Sequence, residues 1–239
     1  MGTMGNGSWT FDILKMLVAA IFGGLATLWL PFVRRFFWGP ELSLSFGNEI
    51  GGCVEKTPIE LNMQDGSKQK TEGYYIRILV RNIKPNLGKD CRVFLVGIEK
   101  KDNSGEFIHT IYRDSIQLQW SCRSGQGFSS IDLPTEINQF VDVISTIKGV
   151  NHIVPKIEMV PFRYNDLFFE HGTFRYSIQV SGQEIEPRFI RIILDWNGQW
   201  DSFNVELDPT PFPPRTRIQE VLELVRNLPV FPRRTRHHR

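Results

Sequence analysis

An unbroken apolar run near the N-terminus constrains this chain more than any other feature of its sequence. Residues 16–33 read MLVAAIFGGLATLWLPFV, a run of 18 positions without a charged side chain. About 20 residues of helix cover the roughly 30 Å hydrocarbon layer of a bilayer, and Lys15 can extend its amine to the interface. Aromatic residues, which are enriched at membrane interfaces, flank the run: Trp9, Phe11, Phe36, Phe37 and Trp38. The sequence therefore predicts a transmembrane helix with an interfacial flank over residues 13–38, after a short tail of residues 1–12.

Two rival interpretations fit the length and flanks of this run less well. A cleaved signal peptide has a shorter apolar region, of roughly 7 to 15 residues, followed by small residues at the cleavage site. Here the run ends in Pro31, Phe32 and Val33, and two arginines follow directly. A helix that is apolar on all sides would otherwise need a large globular core to bury it, which a mostly β chain of 239 residues has little room to build. A permanent single-pass anchor is the interpretation that we favour.

Basic residues beside the span predict its orientation. Lys15 precedes it, whereas Arg34 and Arg35 follow it, so the positive-inside rule places the C-terminal part in the cytoplasm by a margin of one charge. The odd set of three cysteines points the same way, because oxidising compartments favour paired cysteines. An extracytoplasmic location stays open as the alternative, since many single-span proteins carry a β-sandwich outside the cytoplasm.

Small residues recur along one face of the predicted span. Ala19, Gly23 and Thr27 are spaced four residues apart, which allows two helices to approach closely. This stripe predicts a face for packing between spans, with a homodimer as one outcome.

Period-two patterns dominate residues 39–207. Leu42, Leu44 and Phe46 alternate with polar residues, and residues 74–82 alternate isoleucines and Val80 with arginines, as half-buried strands do. Asn197-Gly198 supplies the positive backbone angles of a two-residue type I′ turn between strands. The further predicted strands cover residues 92–99, 107–112, 116–120, 140–144, 157–162, 174–180, 189–196 and 199–207.

About nine short strands without strand–helix alternation predict a mainly β fold. In architecture the domain resembles an antiparallel immunoglobulin-like β-sandwich, although its cysteines and Trp120 do not have the spacing of antibody-type domains. The domain is also longer than the about 100 residues of a minimal sandwich. Residues 51–72 and 125–156 are therefore expected to form loops or additional strands.

Residues 208–239 form a distinct C-terminal section. The stretch 208–214 reads DPTPFPP and predicts a stiff, extended spacer. Residues 217–228 follow with the pattern of a short amphipathic helix, whose candidate docking face comprises Ile218, Val221, Leu222 and Val225. From Arg215 onward, seven arginines oppose two glutamates, which gives this section a charge of +5. The candidate electrostatic contacts to a partner or to anionic lipid are Arg233, Arg234, Arg236 and Arg239.

The same observations favour a binding or scaffolding role at a membrane surface. The overall charge of +2 is too small for a chain that wraps nucleic acid, so we expect no specific nucleic acid ligand. Cys122, His109, His152 and His171 stand in no catalytic motif, and the sequence has neither a phosphate-binding loop nor paired metal-ligand spacings, so no cofactor is expected. The expected partners are the lipid bilayer, through the span, and a protein or anionic lipid. Two alternatives stay open: an extracytoplasmic ligand-binding module, and an anchored enzyme with an unrecognised site.

Overall fold

The structure, a computed structural model, describes residues 15–16, 39–47, 49–62, 66, 68–121, 123 and 127–210. This part of the chain is mainly β. The strands are β1 (Leu42–Ser45), β2 (Val54–Asn62), β3 (Lys68–Asn82), β4 (Gly88–Lys101), β5 (Phe107–His109), β6 (Ile116–Gln117), β7 (Gln119–Trp120), β8 (Ile131–Leu133), β9 (Asn138–Ile147), β10 (Val154–Pro155), β11 (Gly172–Gln183), β12 (Ile185–Trp196) and β13 (Phe203–Leu207). A 3₁₀ turn (Phe162–Tyr164) leads into a short helix, α1 (Asn165–Phe169).

The first sheet is built around β3. One side of β3 pairs with β9 from Gly73 to Arg81, and the other side is shared, because β2 pairs with its first part and β1 with its last four residues. The strands β7 and β10 add to the outer edge of β9. All of these pairings are antiparallel.

The second sheet has the order β13–β12–β11–β4, and the remaining edge of β4 is shared by β5, β6 and β8. The two sheets bury one common core, in which Ile76, Ile78 and Val80 of β3 and Ile178 of β11 are fully inaccessible. Trp120 and Trp196 are among its largest buried side chains. The prediction of an antiparallel two-sheet β architecture is therefore confirmed.

One end of the sandwich collects the starts and ends of several strands. Leu42, at the start of β1, pairs with Asn82, at the end of β3, and Gly88 of β4 pairs with Leu133 of β8. We call this the entry end and define it as residues 39–42, 82–88 and 133–138. The β3–β4 connection and the start of β9 both lie there.

The predicted strand over residues 116–120 crosses between the sheets. Ile116 pairs with Leu95 of β4 in the second sheet, whereas Trp120 pairs with Val141 of β9 in the first. Leu118, between them, is fully buried and forms an isolated bridge with Ile157. The apolar alternation is therefore preserved although the strand changes partners.

The predicted strand over residues 157–162 is wrong. Only the bridge at Ile157 remains, and Pro161 precedes the 3₁₀ turn and α1. Proline suits this position because its fixed backbone angle and missing N–H are tolerated just before a helical segment. Tyr164 and Phe168 bury this segment against the sandwich.

The last hairpin is present, but its turn differs from the prediction. Trp196 pairs with Phe203, so the connection spans residues 197–202 instead of two residues. Of the two turn residues, only Gly198 has a positive φ, of 93°. The Asn197 side chain accepts from Gln199 N at 3.0 Å and donates to Ser202 Oγ at 2.8 Å, which stabilises the wider loop.

The predicted membrane span lies outside the described residues except for Lys15 and Met16. Within the described part of the chain, no helix has the length and apolar character needed to cross a membrane. A separate unit begins at Pro209, and of it the structure describes only two exposed residues, Pro209 and Thr210.

Candidate functional site: a groove on the first sheet

A shallow groove of about 460 Å³ lies on the outer face of the first sheet. The register of β1, β3 and β9 forms it from two rows of side chains. The row nearer the entry end consists of Ser43, Arg81 and Asn138, and the next consists of Ser45, Leu79 and Phe140. These residues point away from the core because their neighbours along each strand face into it.

The floor of the groove is apolar. Leu79 is only 7% exposed although it faces outward, and Phe140 beside it is half-buried. The β1–β2 connection folds over them and contributes Ile50 and Gly51 to the lining. A hydrogen bond from Cys53 N to Ile50 O, at 3.1 Å, closes a tight turn in this connection. The groove can therefore bury an apolar group of a ligand or partner.

Arg81 supplies the positive charge of the groove. Its Nε donates to Asn138 Oδ1 at 2.8 Å, which orients the guanidinium. The side chain is exposed, and it forms no ion pair with any acidic residue in the described part of the chain. The terminal N–H groups of an arginine match the geometry of a carboxylate or phosphate. The groove thus combines an apolar floor with a cation that can accept an anionic partner.

A buried ion pair lies one row further along the same face. Arg77 Nε donates to Asp142 Oδ1 at 2.8 Å, and Ser121 Oγ donates to the same oxygen at 2.5 Å. Arg77 also donates from its NH1 nitrogen to Glu55 Oε2 at 2.5 Å. Burial acts to lower the pKa of Arg77, but Asp142 and Glu55 raise it overall. Because its charges already pair with each other, this cluster serves to fix β2, β3 and β9 beside the groove.

Two cations flank the ring of Tyr75 next to this ion pair. Arg77 Cζ and Lys156 Nζ each lie 4.9 Å from the ring centroid. Burial lowers the pKa of Lys156, and the nearby Asp142 acts in the opposite direction. The aromatic face and the carboxylate together stabilise the lysine in its half-buried position.

A second charged cluster lies on the outer face of the other sheet. Arg175 Nε donates to Glu99 Oε2 at 2.6 Å, and its NH1 nitrogen donates to Asp208 Oδ2 at 3.3 Å. The ring of Phe107 covers the guanidinium, with 4.3 Å between Arg175 Cζ and the ring centroid. Asp208 directly follows β13, and its side chain is only 3% exposed. This cluster attaches the last residue of the sandwich to β4 and β11.

Three exposed apolar side chains lie on the segments that follow β5 and β10, and we call them the apolar ridge. Phe162 is 90% exposed, Met159 is 70% exposed and Ile111 is 60% exposed. The ring contact between Tyr112 and Tyr164, with centroids 4.8 Å apart, connects the two segments that carry these residues. The ridge is a second surface at which a protein could bind, and the exposed Arg113 and Arg163 lie beside it in the sequence.

The sequence-predicted contact residues cannot be placed in the fold. All of them lie outside the described residues: Ala19, Gly23, Thr27, Ile218, Val221, Leu222, Val225, Arg233, Arg234, Arg236 and Arg239. The groove was not predicted. Its one sequence signal is the placement of Arg81 on the outward face of residues 74–82, next to the predicted strand over residues 42–46.

The residues weighed for catalysis are dispersed in the fold. His152 stacks on Phe169 with ring centroids 4.4 Å apart, His171 packs edge-on against Trp196, and His109 lies 3.4 Å from a carboxylate oxygen of Glu99. Cys53 and Cys91 are buried free thiols, and Cys122 lies outside the described residues. In the described part of the chain, no group of three or more His, Cys, Asp or Glu side chains is arranged to hold a metal ion.

Comparison with known proteins adds no family assignment. No family model matches the chain, and no curated protein has significant similarity to it. The functional interpretation therefore rests on the groove and on the sequence that precedes it.

Proposed function

We propose that the protein is a single-pass, membrane-anchored β-sandwich that acts as a binding or scaffolding module at the membrane surface. In this proposal residues 13–38 form the anchor, and the groove binds a segment of a membrane-associated partner protein. The anchor confines the sandwich to the surface, which raises its effective concentration for partners on the same membrane.

The observation that carries the proposal is the position of the groove relative to the apolar run. Two of its lining residues, Ser43 and Ser45, belong to β1, which begins nine residues after Val33. Ile83, which also lines the groove, belongs to the entry end. A partner held in the same bilayer would meet the groove close to the membrane surface.

The lining of the groove indicates what the partner segment should contain. Leu79 and Phe140 suit an apolar side chain, and Arg81 suits a carboxylate beside it. The serines of β1 and Asn138 offer further hydrogen bonds at the rim. We therefore propose an acidic peptide segment with at least one large apolar residue as the occupant.

The finer fold assignment and the compartment belong to the same proposal. Two antiparallel sheets around one core support the proposal of an immunoglobulin-like sandwich. The positive-inside rule supports a cytoplasmic location. Two reporters fused after Arg239 in separate chains test the compartment, one active only in the cytoplasm and the other only after export. Activity of the exported reporter alone would support the extracytoplasmic alternative.

Photo-crosslinking in cells tests the groove. A photoreactive amino acid is placed at Ser43 or Ser45 in the groove, and at Phe162 on the apolar ridge. We expect the two groove positions to give a protein adduct of the same mass in the membrane fraction. An adduct from position 162 alone would show that the partner binds the ridge and not the groove. Adducts of lipid mass at the groove positions would show that the groove binds a lipid and not a protein.

Charge reversal provides the matched control. Arg81→Glu should abolish the groove adduct, because the replacement repels the carboxylate of the partner. Arg92→Glu changes another exposed arginine, on β4 of the second sheet, whose side chain is 48% exposed. The adduct should persist in this control, and its loss in both variants would contradict a specific role of Arg81.

A further inference from the structure

Three exposed apolar side chains lie at the entry end. Ile83 is 52% exposed, Ile137 is 49% exposed and Leu87 is 40% exposed. None of them belongs to the apolar ridge of Ile111, Met159 and Phe162. Exposed apolar surface of this kind is typical of sites that contact a membrane or a protein partner.

Hydrogen bonds hold the segments that carry these side chains together. Asn82 Nδ2 donates to Asn86 O at 2.6 Å, and Glu136 N donates to Asn82 O at 2.9 Å. Ile83 N donates to Glu41 O at 2.9 Å, which ties the β3–β4 connection to the residue before β1. The segments that carry the exposed residues are therefore held in fixed positions at the entry end.

The sequence before β1 limits how far this surface can lie from a bilayer. Gly39 is buried in the sandwich, and the apolar run ends at Val33. Six residue steps span at most about 20 Å even when the chain is fully extended. The residues between them include Phe36, Phe37 and Trp38, which are of the type enriched at membrane interfaces.

The chain also leaves the sandwich in the direction of the entry end. Leu207 of β13 pairs with Ile192, and Asp208 N bonds to Arg191 O at 3.0 Å. Because β12 starts at Ile185, beside the start of β4, β13 runs towards the entry end.

We infer that the entry end docks on the bilayer and inserts Ile83, Leu87 and Ile137 into the headgroup region. This inference rests on the proposed anchor. Lys89, an exposed cation two residues after Leu87, can meet a lipid phosphate at the same depth. Docking places the open side of the groove at the membrane surface and fixes the orientation in which a partner must approach.

Depth-dependent quenching of a fluorophore tests this inference on the full chain. The protein carries Cys122→Ser and is reconstituted in vesicles of phosphatidylcholine and phosphatidylserine. An environment-sensitive fluorophore is attached to Ile83→Cys, Ile137→Cys or the control Ile108→Cys, since Ile108 is 54% exposed on β5. Quenching by lipids that carry a headgroup-proximal nitroxide should be at least threefold stronger at positions 83 and 137 than at position 108.

A second readout avoids the fluorophore. In the unlabelled protein, the amides of Ile83, Lys84, Asn86 and Leu87 should exchange hydrogen more slowly in vesicles than in detergent. The exchange is normalised to the β4–β5 turn at residues 102–106. Docking would be overturned by equal quenching at all three positions together with unchanged hydrogen exchange. If the protein then stays in the vesicles after alkaline extraction, the proposed anchor still holds. Release of the protein by alkaline extraction would overturn the anchor, and the docking inference with it.

Discussion

Arg77 and Asp142 face each other across β3 and β9, and their side chains are 11% and 8% exposed. The pair lies on the outer face of the first sheet, one row beyond Leu79 and Phe140 of the groove. Its burial on an outward-facing surface follows from Ser121, which donates to Asp142 from the segment after β7. The groove is thus bounded on one side by a rigid ion pair and on the other by the entry end.

Removing the carboxylate of this pair should destabilise the sandwich strongly. Asp142→Asn leaves the Arg77 guanidinium buried with only the half-exposed Glu55 as a carboxylate partner. We expect a loss of about 3 kcal/mol, measured by denaturant unfolding of the full chain in detergent. Glu60→Gln, which breaks the exposed pair of Lys68 and Glu60, is the control and should cost less than about 1 kcal/mol. An equal loss in the free energy of unfolding in the two variants would show that the buried Arg77 pair contributes no more to stability than the exposed pair.

The buried thiols should resist modification in the folded protein. Cys53 and Cys91 are both fully inaccessible, and burial raises the pKa of Cys91 to about 12. The reactive thiolate is therefore scarce at pH 8 as well as shielded. Peptide mass mapping after maleimide treatment should find both cysteines unmodified in the folded chain and modified in denaturant. Rapid modification of Cys91 without denaturant would contradict the packing of β4 against β8.

Acid should destabilise the fold through His152. Burial lowers the pKa of this imidazole below its usual value of 6.5, so the unfolded chain binds a proton at a higher pH than the folded one does. The contribution is complete above about pH 6.5 and is lost as the pH falls through the folded-state pKa. His152→Phe keeps the ring contact with Phe169 and removes the proton site. Its Tm should fall less than that of the wild type between pH 7 and pH 5, and parallel curves would rule out this source of pH dependence.

Sequence patterns are sufficient to predict a strand and its buried side chains where the strand is long and has one buried face. The alternation at residues 74–82 predicts the inward side chains of β3, which the structure confirms for Ile76, Ile78 and Val80. The two- and three-residue strands β6, β7, β8 and β10 are too short to establish a period. Their existence depends on neighbouring strands that only the folded chain supplies.

The groove shows the same division between local and long-range information. The outward position of Arg81 follows from the alternation, but its bond to Asn138 depends on the register between β3 and β9. A bulge between Ile76 and Arg77 sets that register, and no local pattern marks it. The apolar floor further requires the β1–β2 connection to fold across Leu79. A single sequence contains no signal for that contact.

Asp208 should hold the end of β13 against the second sheet. In Asp208→Asn the bond to Arg175 weakens, while Arg175 keeps Glu99 as a partner. We therefore expect faster hydrogen exchange at residues 206–208 with a drop in Tm of only a few degrees. Asp195→Asn, at an exposed position of β12, is the matched control and should leave that exchange unchanged. Unaltered exchange in Asp208→Asn would mean that the ladder between β12 and β13 alone fixes this end.

The wide loop after β12 should tolerate no side chain at Gly198. Its φ of 93° lies in the left-handed region, and an added Cβ would come within 2.6 Å of the His171 ring. That ring packs edge-on against Trp196, with centroids 5.0 Å apart, and because His171 is exposed the ring can shift only at the expense of this contact. Backbone strain alone accounts for about 1 kcal/mol, and displacement of the ring adds to it. Gly198→Ala should therefore lower the free energy of unfolding by about 2 kcal/mol.

Gly51→Ala is the matched control for that substitution, because no atom lies within 4 Å of an added Cβ and its φ is not positive. It should change the free energy of unfolding by less than about 0.5 kcal/mol. The double variant Gly198→Ala with His171→Ala separates the two causes of the loss, since it removes the ring that the new methyl group meets. If Gly198→Ala costs as much in the His171→Ala background as in the wild type, the loss comes from the backbone conformation. If the cost falls by half or more, the contact with His171 is what reserves this position for glycine.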